Sequence, residues 1–294
     1  MNVRVEYQRR LDDAEVAGVL TLVEAAGEAD GVHPLNEQAM LQLRYGGDEP
    51  SRAALLFAGD TLAGYAHVDP SDEGPVGELV VHPGFRGSGH GGTLLRAVLE
   101  HTGGRLRVWA HGDHPAAARL AAANGFTRAR SLWRMRRPLS LPVPAPVLPE
   151  GVRLRAFVPG ADEEAWIAVN ARAFAHHPEQ GAWTIEDLKR REQEPWFDPE
   201  GFFLADSGGV TVGFHWTKVH QGDEPVGEVY IVGVDPGQQG TGLGKALTLA
   251  GLAHLRERGL AHVILYVDEA NTAAVRLYEG LGFTHFDTDV MYSR

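Results

Sequence analysis

Apolar and polar residues in the first half of the chain follow two periodicities. Some stretches alternate with a period of two, which is typical of half-buried strands, and others repeat every three or four residues, which is typical of helices. Residues 14–27 show the helical spacing at Val16, Val19 and Val23, behind acidic residues that can cap a helix. The predicted strands are residues 3–7, 53–58, 62–69, 76–82, 106–111 and 131–137, and the predicted helices are 14–27, a segment from 33–34 to about 45, one ending near 101, and 115–124.

The second half repeats this order of elements. The predicted strands are residues 152–156, 202–205, 211–219, 226–234, 263–267 and 284–291, and the predicted helices are 162–174, 185–191, one ending near 258, and 271–281. Gly89 and Gly91 align with Gly242 and Gly244 at one constant offset, and a Gly-Phe pair closes a predicted helix in each half. Such agreement over a long span predicts two domains of one fold that arose by duplication.

A proline-rich stretch separates the halves. Residues 138–149 contain five prolines alternating with apolar residues, a composition that favours extended, semi-rigid geometry. We interpret it as a linker, and an SH3-type ligand is the alternative. The predicted organisation is therefore a domain at 1–137, a linker at 138–151 and a domain at 152–294.

Composition and charge narrow the function classes. The 294 residues carry a net charge of −12, which argues against nucleic acid and anionic membranes as partners. There is no cysteine, so a disulfide framework, a thiolate metal site and a cysteine nucleophile are excluded. No signal peptide and no apolar run of about 18 residues is recognisable, which predicts a cytoplasmic protein.

The candidate chemistry begins with two glycine-rich loops, each placed between a predicted strand and a predicted helix. Glycines leave backbone N–H groups uncovered, and the following helix adds the positive end of its dipole. This combination suits a pyrophosphate. Either loop taken singly could also be a structural turn.

In each half, a strand ending in Val-x-Pro leads into Arg/Gln-x-x-Gly-x-Gly, followed by a helix, a strand, and a helix closed by Gly-Phe. This arrangement resembles the GCN5-related N-acetyltransferase (GNAT) superfamily, in which the loop binds the pyrophosphate of acetyl-CoA. The resemblance implies an α/β fold with a mixed α+β sheet, two tandem GNAT domains and acetyl-CoA as co-substrate. The cofactor-binding residues that it implies are Leu79, Val80, Val81, Arg86, Gly87, Gly89 and Gly91 in the first half, and Val232, Gly233, Val234, the loop from Gln239 and Gly240 to Lys245, and the segment from Asn271 to Arg276 in the second.

Acyl transfer to an amine requires a base for the amine and an acid for the departing thiolate. The resemblance assigns the base to Glu228, near the start of the strand that leads to the second loop, and the acid to Tyr278. A solvated carboxylate and a core tyrosine are the alternatives. The counterpart of Tyr278 in the first half is Ala121, which cannot donate a proton. We therefore predict that the second half is catalytic and that the first half binds CoA or supports the fold.

Longer segments, among them Asp30-Gly-Val-His-Pro-Leu-Asn-Glu-Gln38, resemble a tandem branch of the superfamily. That branch acetylates the cysteine amine of cysteinyl-glucosaminyl-inositol in a ternary complex. The acceptor contacts that the resemblance implies are Glu37, Glu179, Lys218, Glu228 and Tyr266. Glu37 lies in the first half, so an acceptor site between the halves is predicted.

Two other functions are compatible with the sequence. A tandem acetyltransferase acting on an aminoglycoside or a peptide N-terminus is one, and a CoA-binding sensor without turnover is another. His176, His177 and Glu179 have poor spacing for a metal site, so no metal is predicted. The protein is expected to be a monomer.

Overall fold

A computed structural model describes residues 2–46, 52–71 and 73–294, and the side chains of Pro178 and Glu179 lie outside the described part. The chain divides into two compact units, each assembled from separate segments of sequence. Unit 1 comprises Met1–Trp133, Asp268–Ala270 and Asp287–Arg294, and unit 2 comprises Arg134–Val267 and Asn271–Phe286.

The elements follow one another in the predicted order. The strands are β1 (Val3–Gln8), β2 (Arg52–Ala58), β3 (Thr61–Asp69), β4 (Val76–Val81), β5 (Arg107–Ala110), β6 (Thr127–Pro138), β7 (Val152–Ala156), β8 (Phe202–Ser207), β9 (Val210–His220), β10 (Val226–Val234), β11 (His262–Asp268) and β12 (Thr284–Ser293). The helices are α1 (Asp13–Asp30), α2 (Glu37–Tyr45), α3 (His90–His101), α4 (Pro115–Ala123), α5 (Glu163–Ala173), α6 (Pro178–Gly181), α7 (Ile185–Glu192), α8 (Leu243–Glu257) and α9 (Thr272–Gly280).

Each unit contains a mixed sheet. In unit 1 the order is β1-β2-β3-β4-β5-β12-β6, with β4 and β5 parallel and the pairs from β1 to β4 antiparallel. In unit 2 the order is β6-β11-β10-β9-β8-β7, with β10 and β11 parallel and β7 to β10 antiparallel. The parallel pair lies beside the glycine-rich loop in both units.

Local signals explain where the principal helices begin. Asp12 caps α1, and Glu15 reaches back to complete a capping box. Helices α3 and α8 both begin after a left-handed glycine, Gly89 with φ of 85° and Gly242 with φ of 89°, a conformation that other residues adopt only with strain. The two loops, which align at a constant offset in the sequence, therefore also share their backbone conformation.

Each unit buries its own core. In unit 1, Leu94 and Leu95 of α3 pack beneath the sheet, and Val19 and Val23 of α1 contribute to a second cluster. The core of unit 2 is more aromatic. Trp166, Phe202, Phe214 and Trp216 are all fully buried, and the rings of Phe202 and Trp216 stack at 4.4 Å.

Strands β6 and β12 are each divided between the units, which differs from the predicted boundaries at 137 and 152. The end of β12 belongs to unit 1 because Val290–Ser293 pair antiparallel with Arg107–Ala110 of β5. The predicted linker is counted within unit 2, where Leu139 is buried and its N–H donates to the carbonyl of Ala261 at 2.8 Å. Contiguous domains of 1–137 and 152–294 remain a prediction from the sequence.

Two further differences concern short elements. The four-residue helix α6 has no periodicity to predict it, and α1 extends three residues beyond the predicted end, to the left-handed Gly31. Helices long and apolar enough to cross a membrane are absent from the described ranges.

Candidate active site

The loop before α8 is preceded by a hydrogen-bonded Asp235 and has free space beside its glycines. The Asp235 carboxylate accepts from the Gly237 N–H at 2.9 Å and from Arg172 Nε at 2.6 Å, and the hydrogen bond from Arg172 keeps the pKa of Asp235 below its usual value. A Cβ added at Gly240 or Gly242 meets no atom within 4 Å. The loop therefore leaves space for a ligand beside the N-terminus of a helix, where an anion is favoured.

The remaining loop residues extend from this cradle into the first turns of α8. The Thr241 hydroxyl donates to the carbonyl of Gln238 at 2.7 Å and closes the loop, and Gly244 lies in the first turn against Val234. Gln239 precedes the two loop glycines, and Lys245 lies in the same first turn of α8. The predicted pyrophosphate residues thus lie on one loop and the first turn of the helix that follows it.

Strand β10 separates from β11 beside this loop. Pairing with β11 covers Gly227 to Val229, whereas pairing with β9 continues to Val234 after a bulge at Val229 and Ile231. The β11-facing edge of residues 232–234 is therefore unpaired within the described chain. Free strand edges of this kind pair with extended amides such as those of pantetheine. Gly233 is required, since a Cβ there would lie 2.4 Å from Phe214 Cε1.

Glu228 lies at the start of β10, beside the point where the strands separate. It is 6% exposed, and its Oε2 lies 2.6 Å from His220 Nε2. The registers place Glu228 opposite Lys218 on β9 and opposite Ile264 on β11. Tyr266 follows Ile264 by two residues, so Lys218, Glu228 and Tyr266 project from one face of the sheet.

Two of these predicted acceptor contacts take part in cation–π arrangements. The Lys218 ammonium lies 4.3 Å from the ring centroid of Trp196 and 5.1 Å from that of Tyr230, a cation–π arrangement. The ring of Tyr266, which is 39% exposed, has Arg134 at 5.7 Å.

Helix α9 carries the predicted acid. The Asn271 side chain caps the helix by accepting from the Ala274 N–H at 3.2 Å. One turn further on, the Tyr278 ring meets Phe283 edge-on at 5.8 Å. Burial raises the pKa of the Tyr278 phenol to about 12, so the hydroxyl stays protonated near neutral pH and can donate a proton.

Unit 1 contains a cavity of about 340 Å³ at its own glycine-rich loop and strand edge, the counterparts of those just described in unit 2. As in unit 2, the parallel strand pair separates early, because β4 pairs with β5 only up to Glu78 but with β3 up to Val81. Ala121 also lines the cavity. All predicted cofactor residues of this half line it, namely Leu79, Val80, Val81, Arg86, Gly87, Gly89 and Gly91.

The Arg86 side chain in this cavity is already paired. Its guanidinium makes two hydrogen bonds to Asp30, at 2.6 and 2.9 Å, and a third to the carbonyl of Val81 at 3.0 Å. A Cβ added at Gly87 or Gly89 meets nothing within 4 Å, so the backbone cradle is open. Anion binding in unit 1 would therefore depend on the backbone more than on the arginine charge.

A buried charged cluster at the edge of this cavity was missed by sequence reasoning. Glu78 and Asp289, both nearly inaccessible, accept from Nε2 and Nδ1 of His111, each at 2.9 Å. Burial acts to lower the pKa of His111, but the two carboxylates outweigh it and raise the pKa to about 10. His111 is consequently an imidazolium at neutral pH.

The sequence did contain a signal for one member of this cluster. Pro75-Val-Gly-Glu78 repeats as Pro225-Val-Gly-Glu228, but at an offset three residues shorter than that of the loops. The longer β10 accounts for the difference and obscures the match. Glu78 is thus the counterpart of the predicted base.

Two predicted acceptor contacts lie elsewhere. Glu37 is the first residue of α2 in unit 1, directly after the cap Asn36. Glu179 belongs to α6 in unit 2, and its side chain lies outside the described part. Within the described ranges, no group of three His, Asp or Glu side chains is suited to hold a metal ion.

Comparison with known proteins places this geometry in a family. Residues 19–126 and 168–283 both match the acetyltransferase (GNAT) family. The chain belongs to the GNAT family of acetyltransferases. It is therefore an acyltransferase, and the predicted mixed α/β fold and superfamily are confirmed.

Relatives agree over the full length of the chain. The mycothiol acetyltransferase of Thermobispora bispora is 69% identical over 298 residues, and that of Streptosporangium roseum is 62% identical over 337, with 100% of each chain covered in both cases. A tandem GNAT protein from the clavulanic acid biosynthesis pathway has a TM-score of 0.76 at 19% identity, covering 100% of this chain and 98% of its own. That last likeness concerns the fold and supports the tandem arrangement.

Proposed function

We propose that this GNAT acetyltransferase uses acetyl-CoA to acetylate the cysteine amine of cysteinyl-glucosaminyl-inositol, giving mycothiol. The observation that carries the proposal is the full-length identity of 69% to a mycothiol acetyltransferase. The buried Glu228, on the strand that leads into the glycine-rich loop, supplies chemistry of the required kind.

Acetyl-CoA would supply an activated acetyl thioester. The N–H groups of the Gly240–Gly242 turn would hold its pyrophosphate, and the free edge of residues 232–234 would hold its pantetheine arm. In the same way, the cradle around Gly87 and Gly89 and the edge of residues 79–81 would bind CoA in unit 1.

The second unit would perform the transfer. A cysteine α-amine has a pKa of about 8 or below, so a buried carboxylate can remove its proton. Glu228 would accept that proton, and backbone N–H groups of β10 would stabilise the negative charge that develops on the carbonyl oxygen. Tyr278 would protonate the departing sulfur, since its raised pKa keeps the hydroxyl protonated near neutral pH.

The deciding experiment measures thiol release from acetyl-CoA with purified protein and cysteinyl-glucosaminyl-inositol. We expect acceptor-dependent release. Release only with an aminoglycoside or a peptide N-terminus, or CoA binding without release under any condition, would overturn the proposal. A native mass measurement of the same sample would test the expected monomer.

The acceptor contacts are tested by Glu37→Ala. Removing a carboxylate that binds a sugar hydroxyl or the substrate ammonium should raise KM for the acceptor about tenfold and leave KM for acetyl-CoA unchanged. Equal rises in both KM values would exclude Glu37 as an acceptor contact.

A further inference from the structure

His220 is placed to act on Glu228. It is the last residue of β9, and its Nε2 lies 2.6 Å from Glu228 Oε2, a short, charge-assisted separation. The side chain of His220 is 42% exposed, whereas that of Glu228 is 8% exposed. A solvent-accessible imidazole therefore bonds one oxygen of a buried carboxylate.

We propose that His220 is a positioning residue for the transfer reaction, which donates Nε2–H to Oε2 of Glu228 and thereby reserves Oε1 for the acceptor amine. This inference rests on the proposed function, since it assumes that Glu228 is the base. His220 itself touches neither the acceptor nor acetyl-CoA.

The reaction begins with proton transfer to Glu228. The N–H bond of the substrate ammonium breaks, an O–H bond forms at Oε1 of Glu228, and the nitrogen keeps the electron pair with which it attacks the thioester. The hydrogen bond from His220 prevents rotation of the carboxylate and compensates part of its negative charge while it waits for substrate. After the attack the C–S bond breaks and the sulfur takes the proton of Tyr278. The nitrogen then loses its second proton, which restores the Tyr278 hydroxyl, and the proton on Glu228 leaves for water.

The equivalent carboxylate in unit 1, that of Glu78, differs from Glu228 in its hydrogen bonds. Both oxygens of Glu78 are occupied, Oε1 by His111 at 2.9 Å and Oε2 by the backbone N–H of Asn36 at 2.9 Å. For Glu228, within the described part of the chain, only Oε2 has a hydrogen-bond partner. Both carboxylate oxygens of Glu78 are therefore hydrogen-bonded, whereas Glu228 keeps Oε1 available.

The position of His220 along the sheet also limits its role in the reaction. His220 pairs in register with Val226, two residues before Glu228 and on the side of β10 away from the glycine-rich loop. It therefore approaches the carboxylate from the end of β10 opposite to the glycine-rich loop. This position suits a group that holds the base.

The test compares His220→Gln, which keeps an N–H donor, with His220→Phe, which keeps the bulk and removes the donor. We expect His220→Phe to lower kcat about 10- to 100-fold. Losses of this size are typical of residues that orient the ligands of a catalytic metal. KM for acetyl-CoA should not change. His220→Gln should recover most of the lost kcat.

A double-mutant cycle with Glu228→Gln separates positioning from an independent effect. In the Glu228→Gln background, His220→Phe should reduce kcat no further. His254→Gln is the matched control, because it alters another histidine–carboxylate pair of unit 2, with Asp198 at 3.3 Å. It should leave kcat unchanged, and thermal unfolding of each variant reports on folding.

The outcomes distinguish the two proposals. If wild-type protein fails to acetylate the acceptor, the proposed function is wrong. If wild-type protein is active and His220→Phe keeps wild-type kcat, or loses the same factor with and without Glu228, the positioning role is wrong. It is also wrong if folded His220→Gln is as impaired as His220→Phe.

Discussion

Tyr278 and Ala121 occupy equivalent positions on α9 and α4, and on this difference we propose that the second unit donates the proton. The phenol of Tyr278 can protonate a thiolate, and the methyl group of Ala121 cannot. We expect Tyr278→Phe to lower kcat at least tenfold with little change in the free energy of unfolding, as measured by steady-state kinetics and urea titration. Tyr7→Phe, on the exposed edge strand, serves as control. Full activity of Tyr278→Phe would remove the acid from the proposed mechanism.

His111 gives unit 1 a pH-dependent stability. Its pKa is about 10 when folded and ordinarily about 6.5, so its contribution is fully present below pH 6.5 and is lost as the pH rises through 10. His111→Phe leaves two buried carboxylates unpaired and should cost about 3–5 kcal/mol of unfolding free energy near pH 7.

The gap in unfolding free energy between wild type and His111→Phe should narrow toward pH 10, measured by urea titration with hydrogen exchange on peptides of unit 1. His176→Phe, at an exposed position, should behave as wild type throughout. A gap that stays constant with pH would mean that the loss comes from packing and not from charge.

At the scale of elements, the left-handed glycine before α8 makes a testable contribution. Gly242→Ala forces a Cβ into a φ of 89° and should cost about 1–2 kcal/mol of stability. It should also raise KM for acetyl-CoA severalfold, because the added methyl group enters the space that we propose for the pyrophosphate. Gly259→Ala, with φ of 78° beyond the other end of the same helix, should cost similar stability without changing KM. Equal KM values for both variants would contradict the phosphate role.

Elements were largely predictable because periodicity and capping are local. Residues 226–234 were predicted as a strand and form β10, and the predicted helix after His33-Pro34 forms α2 behind its cap Asn36. The His111 cluster was not predictable, since His111 and Asp289 are 178 positions apart and meet only through the pairing of β12 with β5. The contact of His220 with Glu228 was likewise not predictable, because nothing in the sequence shows that the two side chains lie together.

For the whole molecule, the division of β12 predicts a remote effect on stability. Val290 is fully buried and pairs with Ala110 of β5. Val290→Asp should therefore increase hydrogen exchange in peptides covering β5, although the substitution lies in the second half of the sequence. Val147→Asp, at a position 82% exposed, should have no such effect. Unchanged exchange in β5 would show that this pairing contributes little.

The split membership of β12 also bears on how the protein is made. A ribosome produces the first 133 residues of unit 1 early, but the partner strand of β5 is synthesised only after α9. Until then, the edge of β5 lacks its neighbour and is open to wrong pairing, as unpaired strand edges generally are. We therefore expect unit 1 to finish folding only after the second half has been translated.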